Sequence, residues 1–124
     1  MSLWPSLYRE FVTERELIGA AIEVPESEDL SGAGAWIEVL DEAGAETEAS
    51  DFFPGLVVIE DGFVPIGGCQ LGSGDQYFLN VRDPQPGPVY RIYHDRVTDD
   101  GYDASQAIDR VLASYADLQK YVVP

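Results

Sequence analysis

The chain has 124 residues, of which 23 are acidic and 7 are basic, so its formal net charge is −16 at pH 7. Its length is that of one domain spanning residues 1–124, and 45% of its residues are hydrophobic, enough to form a core. Its 2 Trp, 7 Tyr and 5 Phe residues exclude a disordered acidic tail. Nucleic acid is excluded as a partner because phosphate recognition requires clusters of Lys and Arg, and an anionic membrane surface is disfavoured for the same reason.

The sequence carries no sign of export or membrane insertion. Its single cysteine, Cys69, cannot form an intramolecular disulfide. The N-terminal residues contain no basic region followed by an apolar run, which a signal peptide requires. No stretch approaches the roughly 20 apolar residues that span a bilayer. We therefore expect a cytoplasmic protein.

The N-terminal third of the chain predicts a helical segment, a polar loop and a strand. Residues 5–22 carry apolar side chains at helical spacing and are interpreted as one helix or two short ones, ending before Pro25. A loop rich in Ser, Gly and acidic residues follows. The alternation of residues 35–40 predicts a half-buried strand with Trp36 and Val39 on one side.

The middle of the chain predicts an acidic helix inserted before further strands. Residues 41–53 form this helix, and Pro54-Gly55 ends it. Residues 56–60, with the sequence LVVIE, are predicted to be an apolar strand. Asp61-Gly62 is a hairpin signal that leads into the next strand.

The C-terminal half predicts two paired strands and a closing helix. Residues 76–81 and 88–94 are interpreted as antiparallel partners across a proline-rich connection. Residues 103–121 carry an apolar stripe at helical spacing behind an Asp103 cap, which predicts one long helix. Together these elements predict an α+β domain with helices packed against one antiparallel sheet.

The stretch Gly72-Ser73-Gly74-Asp75 is predicted to be a turn rather than a phosphate cradle. A phosphate cradle places its glycines before a helix, whose N-terminus holds the anion. Here a predicted strand follows, and no Gly-Lys-Ser/Thr motif is present. We expect the glycines to supply positive φ angles and Asp75 to hydrogen-bond the local backbone.

His94-Asp95 is the other pair that suggests chemistry, because His94 is the sole histidine. A nucleophile pair of Cys69 and His94 is the weakest hypothesis, since nothing in the sequence places the thiol beside the imidazole. The acidic residues at positions 95–103 lack the spacing of an EF-hand calcium loop. We therefore predict a protein that is not an enzyme, with no catalytic residue, no metal site and no cofactor.

The aromatic residues of the two paired strands, Tyr77, Phe78, Tyr90 and Tyr93, favour core or cross-strand packing over a ligand pocket. They nevertheless leave a second function open. In that alternative the chain is a small-molecule-sensing or regulatory module that binds its ligand on the sheet near Tyr77, Tyr90 and His94.

The acidic side chains are concentrated in one part of the chain. Residues 23–61 contain 12 acidic and no basic residues. A solvated face and a docking face for a basic protein are equally consistent with so long an interval. Electrostatic steering by such a face weakens as salt is added. The predicted partner-binding residues are Glu38, Asp41, Glu42, Glu46, Glu48, Asp51, Glu60 and Asp61.

Two motifs resemble the SUKH superfamily, which includes the fungal cell-wall-synthesis regulators of the Smi/Knr type. They are GSGDQYF at residues 72–78 and PVYRIYHD at residues 88–95, within a resemblance that extends over residues 50–121. The motif residues, which we interpret as mainly structural, are Gly72, Gly74, Asp75, Tyr77, Phe78, Pro88, Tyr90, His94 and Asp95.

The resemblance implies a bent antiparallel sheet of about four to six strands, flanked by an N-terminal helical segment, an inserted short helix and a C-terminal helix. Bacterial members of the superfamily are best known as immunity proteins that bind and neutralise toxins, often nucleases, without catalytic residues of their own. The resemblance therefore implies a basic protein toxin as the partner. The alternative is a sensing, regulatory or scaffold module of the Smi/Knr type.

Overall fold

The computed structural model describes residues 3–71 and 75–123. Its centre is a six-stranded antiparallel sheet in the order β1-β2-β3-β4-β5-β8, and β6 pairs with β7 in a separate hairpin. The strands are β1 (Ala21–Val24), β2 (Ala35–Val39), β3 (Phe63–Cys69), β4 (Gln76–Asn80), β5 (Val89–Ile92), β6 (Val97–Thr98), β7 (Gly101–Tyr102) and β8 (Ile108–Leu112). The helices are α1 (Ser6–Glu14), α2 (Glu42–Asp51), α3 (Gly55–Val58) and α4 (Ala104–Ala107), with 3₁₀ turns at Ile59–Asp61, His94–Arg96 and Tyr115–Tyr121. The predicted α+β class with a curled antiparallel sheet is confirmed.

The sheet is covered on both faces. Because side chains alternate along a strand, Tyr77 and Leu79 enter the larger core cluster while Phe78 enters a second one. The larger cluster includes Tyr8 of α1 and Leu118 of the last 3₁₀ turn. The second cluster is formed by Val58, Phe78, Ile92, Val97 and Ala107.

The N-terminal helix is shorter than predicted. It ends at Glu14, and Glu16 takes a left-handed backbone conformation with φ 55°, which reverses the chain. Ile22, which the helical spacing assigned to a helix, lies in β1 opposite Ile37 of β2. Pairing with the sheet buries Ile22 completely, and this burial prevails over the local helical pattern.

The strand predicted at residues 35–40 is present as β2, but its faces differ from the prediction. Ala35, Ile37 and Val39 are buried on one side, while Trp36 is half-buried on the other. Trp36 and Val39 are an odd number of residues apart, so an extended strand places them on opposite faces. The prediction that Trp36 and Val39 lie on the same side of the strand was therefore wrong.

Residues 56–60 are helical, so the predicted strand there is wrong. Pro54 precedes α3, and Val58 at its end is buried in the second core cluster. Gly62 ends the following 3₁₀ turn with φ 94°, and β3 begins at the next residue. Asp61-Gly62 is therefore a helix terminus rather than a hairpin turn.

The long closing helix predicted at residues 103–121 is also wrong. Asp103 caps a single turn, α4, by accepting a hydrogen bond of 3.0 Å from the backbone N–H of Ser105. The chain then forms β8, which pairs with β5 and continues the sheet. After β8 the last segment is a 3₁₀ turn, and its Leu118 packs on the core.

The acidic helix and the antiparallel pairing of β4 with β5 are confirmed. Among the described residues, no helix combines the length and apolar character needed to cross a membrane.

Candidate functional site

The acidic helix α2 is held to the protein by its small residues. Asp41 begins it by accepting a hydrogen bond of 2.7 Å from the backbone N–H of Gly44. Ala45 and Ala49 are the buried residues of this helix. Because the buried side chains are short, the helix backbone lies close to its neighbours, while Glu46 and Asp51 face solvent.

Four of the eight acidic residues predicted to bind a partner also have structural roles. Besides Asp41, Glu42 accepts a hydrogen bond of 3.0 Å from Nε of Arg9 and so joins α2 to α1. Glu48 accepts one of 2.6 Å from the side-chain amide of Gln76 at the start of β4.

Asp61 is the fourth of these residues. It accepts a hydrogen bond of 2.6 Å from the hydroxyl of Tyr102. Burial of the phenol, together with this hydrogen bond, raises the pKa of Tyr102. The bond joins the 3₁₀ turn after α3 to the β6–β7 hairpin, so substitution of Asp61 would perturb the fold as well as the surface charge.

The other four acidic residues, Glu38, Glu46, Asp51 and Glu60, are exposed. Within residues 3–71 and 75–123, no side-chain hydrogen bond or ion pair is found for them. Their charges are therefore available to a partner, and they can be substituted with little effect on the fold.

Three exposed apolar side chains lie in the same segment of the chain as two of these carboxylates, Asp51 and Glu60. Phe52 is 52% exposed, Phe53 is 40% exposed and Ile59 is 36% exposed. All three fall between Asp51 and Glu60 in the chain. We call Glu46, Asp51, Phe52, Phe53, Ile59 and Glu60 the α2–α3 surface.

A groove of about 430 Å³ adjoins this surface. Glu60 and Asp61 line one part of it, and Asp100 and Tyr102 line another. The negative charge of the α2–α3 surface therefore continues onto the β6–β7 hairpin.

The aromatic residues of β4 and β5 do not form one ligand site. Tyr77 lies opposite Arg91, and Phe78 lies opposite Tyr90, so Tyr77 and Tyr90 are on different faces of the sheet. Tyr90 instead stacks edge-on against Phe63 with ring centroids 5.4 Å apart. The ligand site predicted near Tyr77, Tyr90 and His94 is therefore divided by the sheet, and cross-strand packing is confirmed for Phe78 and Tyr90.

A cavity of about 200 Å³ lies on the face that carries Tyr77. Its wall includes Trp36, Cys69 and Tyr93 as well as the buried Arg91. Burial raises the pKa of Tyr77, although its contacts with Arg91 offset part of this effect. The Tyr77 phenol is therefore neutral at physiological pH and offers a polar group beside the aromatic rings of Trp36 and Tyr93.

The motif residues Gly72 and Gly74 lie outside the described residues, so the predicted turn is not described. Other motif residues lie at positions where they support the fold. Pro88 is half-buried just before β5. Asp75 accepts a hydrogen bond of 3.0 Å from the backbone N–H of His94, nineteen residues away. Asp75 therefore hydrogen-bonds a backbone group far from it in the sequence, whereas the sequence predicted a bond to the local backbone.

Comparisons of the chain with protein-family models, with curated proteins and with solved structures found no match.

Two features of the site were missed by sequence reasoning. Phe52 and Phe53 were assigned to the end of the acidic helix, and only their exposure shows that they are available for contact. Asp29 was counted with the acidic segment but is buried against Arg91. The one available signal for the latter was an arginine inside an otherwise apolar and aromatic strand.

Proposed function

We propose that this chain is a non-enzymatic binding protein that takes a basic protein partner on its α2–α3 surface. The observation that supports this most directly is the pair of exposed phenylalanines, Phe52 and Phe53, flanked by the available carboxylates of Asp51 and Glu60. Protein interfaces typically have an aromatic centre that loses contact with water and a polar rim. The residues of the α2–α3 surface have this composition, and the charged side chains among them are all acidic, although the exposed Arg82 donates to the backbone oxygen of Glu60.

The charge of the rim indicates the chemistry of the partner. A surface of exposed carboxylates accelerates association with a positively charged protein and repels an acidic one. A nuclease is basic where it holds its phosphate substrate. The resemblance to the SUKH superfamily implies immunity against toxins of this kind, so we propose that the partner is a basic, nuclease-type toxin and that the protein neutralises it.

Capture from the native cell lysate at low and at moderate salt, followed by mass spectrometry, tests the proposal. We expect a stoichiometric basic protein that binds less well at moderate salt, and whose nuclease activity disappears when an equimolar amount of this chain is added. A captured protein that keeps full activity at saturation would contradict neutralisation.

A matched pair of variants tests the surface. Phe52→Ser/Phe53→Ser removes the aromatic centre, whereas Leu7→Ser/Ile18→Ser removes two apolar side chains of similar exposure, 53% and 45%, elsewhere. The first variant should release the partner and the second should retain it. Equal retention by both would place the binding surface elsewhere.

The cavity beside Tyr77 favours a second candidate function, a small-molecule-sensing or regulatory module. Its aromatic wall and its buried arginine suit a small ligand with an apolar body and one polar group. A thermal-shift screen against metabolites would detect such a ligand, because a ligand that binds only the folded state raises the melting temperature. A hit whose effect disappears in Tyr77→Phe but not in Tyr90→Phe would support the cavity as the site.

A further inference from the structure

The ends of β4 and β5 bring three potential metal ligands together. Asp75 directly precedes β4 and His94 follows β5, and the pairing of Gln76 with Ile92 places both at the same end of the strand pair. Oδ1 of Asp75 lies 2.7 Å from Nδ1 of His94. Asp95 is the next residue, and one ligand atom from each of Asp75, His94 and Asp95 lies within 4.8 Å of the others.

The backbone already holds this cluster in place. The N–H of His94 donates to the same Asp75 oxygen over 3.0 Å, so the carboxylate and the imidazole are joined by two contacts rather than one. His94 and Asp95 begin a 3₁₀ turn, which fixes their relative positions. His94 and Asp95 are exposed and Asp75 is half-buried, so an ion has access from solvent.

The types of ligand determine the class of ion. Imidazole nitrogen favours zinc and similar transition metals, whereas calcium and magnesium favour oxygen alone. Zinc binds histidine nitrogen and carboxylate oxygen at about 2.0–2.2 Å, so ligand atoms around one ion are within about 4 Å of each other. The cluster needs only small side-chain rotations to reach that spacing, and the strongly negative protein attracts a cation to it.

We propose that Asp75, His94 and Asp95 bind one zinc ion, with water at the fourth position of a tetrahedral site. The geometry rests on these three side chains and is independent of the α2–α3 surface. Because Asp75 also lines the cavity beside Tyr77, the ion would lie at the edge of that cavity.

Isothermal titration of the purified chain with zinc chloride tests the proposal. We expect one ion per chain and a loss of affinity of about tenfold or more in His94→Ala and in Asp95→Asn. The matched control is Asp99→Asn/Asp100→Asn, which removes two exposed carboxylates from the neighbouring hairpin and should leave the affinity unchanged. Asp95→Asn is the more informative variant because no hydrogen bond or ion pair is found for its side chain among the described residues, so its folding should be normal.

Cobalt substitution provides a second measurement, because the absorption of the wild-type chain reports the ligands and geometry of the ion directly. Tetrahedral cobalt with a histidine ligand should give visible absorption in the wild-type chain, and this absorption should be absent from His94→Ala. Two results would overturn the proposal. One is the absence of one-to-one zinc binding, and the other is an equal loss of affinity in the hairpin control, which would indicate attraction by the acidic surface as a whole.

Discussion

The guanidinium of Arg91 lies 3.3 Å from the carboxylate of Asp29, and the two side chains are only 7% and 0% exposed. Ser31 completes the arrangement, because its hydroxyl donates to Asp29 over 2.7 Å and accepts from Arg91 over 2.8 Å. Arg91 also donates to the backbone oxygen of Gly34. The polar loop between β1 and β2 is therefore fixed to the centre of β5, and Asp29 belongs to the core rather than to the acidic surface.

Removing the Asp29 carboxylate should destabilise the protein strongly. In Asp29→Ala the Arg91 charge stays buried without its counter-ion, and the loss expected for such a change is about 3–5 kcal/mol in the free energy of unfolding. Urea denaturation followed by circular dichroism measures it. The double variant Asp29→Ala/Arg91→Met should lose less than the sum of the two single variants, because no unpaired charge remains. A loss below about 1 kcal/mol in Asp29→Ala would show that the pair is not needed.

Replacing Tyr8 with Phe should cost almost nothing at neutral pH. The Tyr8 hydroxyl is fully buried, and no hydrogen-bond partner for it is found among the described residues. Removing a buried group that makes no hydrogen bond is expected to be neutral or slightly stabilising. Tyr77→Phe is the comparison, because the Tyr77 oxygen accepts from the backbone N–H of Trp36 over 3.4 Å, and its loss should cost about 0.5–1.5 kcal/mol.

The buried hydroxyl of Tyr8 should also make the stability of the protein depend on pH. Burial, with a smaller contribution from Tyr115, raises the pKa of Tyr8 well above its usual value of about 10. Because the unfolded chain releases this proton at lower pH than the folded chain, the free energy of unfolding should fall as the pH rises above about 10. Unfolding measured at about pH 9 and about pH 11 should show a smaller fall in Tyr8→Phe than in the wild type. An identical fall in both would contradict the assignment.

The glycine that begins α3 should not tolerate a side chain. A Cβ on Gly55 would overlap the backbone oxygen of Glu48, and a backbone atom of a packed helix cannot easily move aside. Gly55→Ala should therefore cost about 1–3 kcal/mol and displace the α2–α3 surface. Gly68→Ala in β3 is the control, because a Cβ there has nothing within 4 Å. Thermal denaturation of the two variants compares them, and equal melting temperatures would be against the close packing of α2 and α3.

The parts of the fold that the sequence predicted correctly are those with strong local signals. Helix α2 has an aspartate cap at Asp41 and small residues at Ala45 and Ala49, which suit a helix that packs closely. Strands β4 and β5 are rich in aromatic and β-branched residues and are joined by a short proline-rich connection.

The predictions that were wrong concern segments whose structure depends on contacts between distant residues. The apolar run at residues 56–60 has no period that separates a strand from a helix, and the burial of Val58 against the second core cluster decides for a helix. The apolar spacing of residues 108–118 suits a helix, but pairing with β5 makes its first part a strand. The Arg91–Asp29 pair joins residues 62 positions apart, and an arginine within an apolar strand does not by itself identify its distant partner.

Charge-reversal variants separate attraction by the α2–α3 surface from attraction by the net charge of the protein. The variant Glu46→Lys/Asp51→Lys/Glu60→Lys changes the available charges of this surface without touching Asp41, Glu42, Glu48 or Asp61, whose carboxylates also hold the fold together. Glu10→Lys/Glu14→Lys/Glu26→Lys makes the same change in net charge at exposed positions on α1 and in the β1–β2 loop.

The most direct test is the association rate constant of the captured partner with the wild type and both variants, measured over a range of salt concentrations. We expect the α2–α3 variant to associate at least about tenfold more slowly and with a flatter dependence on salt, while the control variant stays close to the wild type. Equal slowing in both variants would mean that only the net charge matters, and it would contradict a defined docking surface.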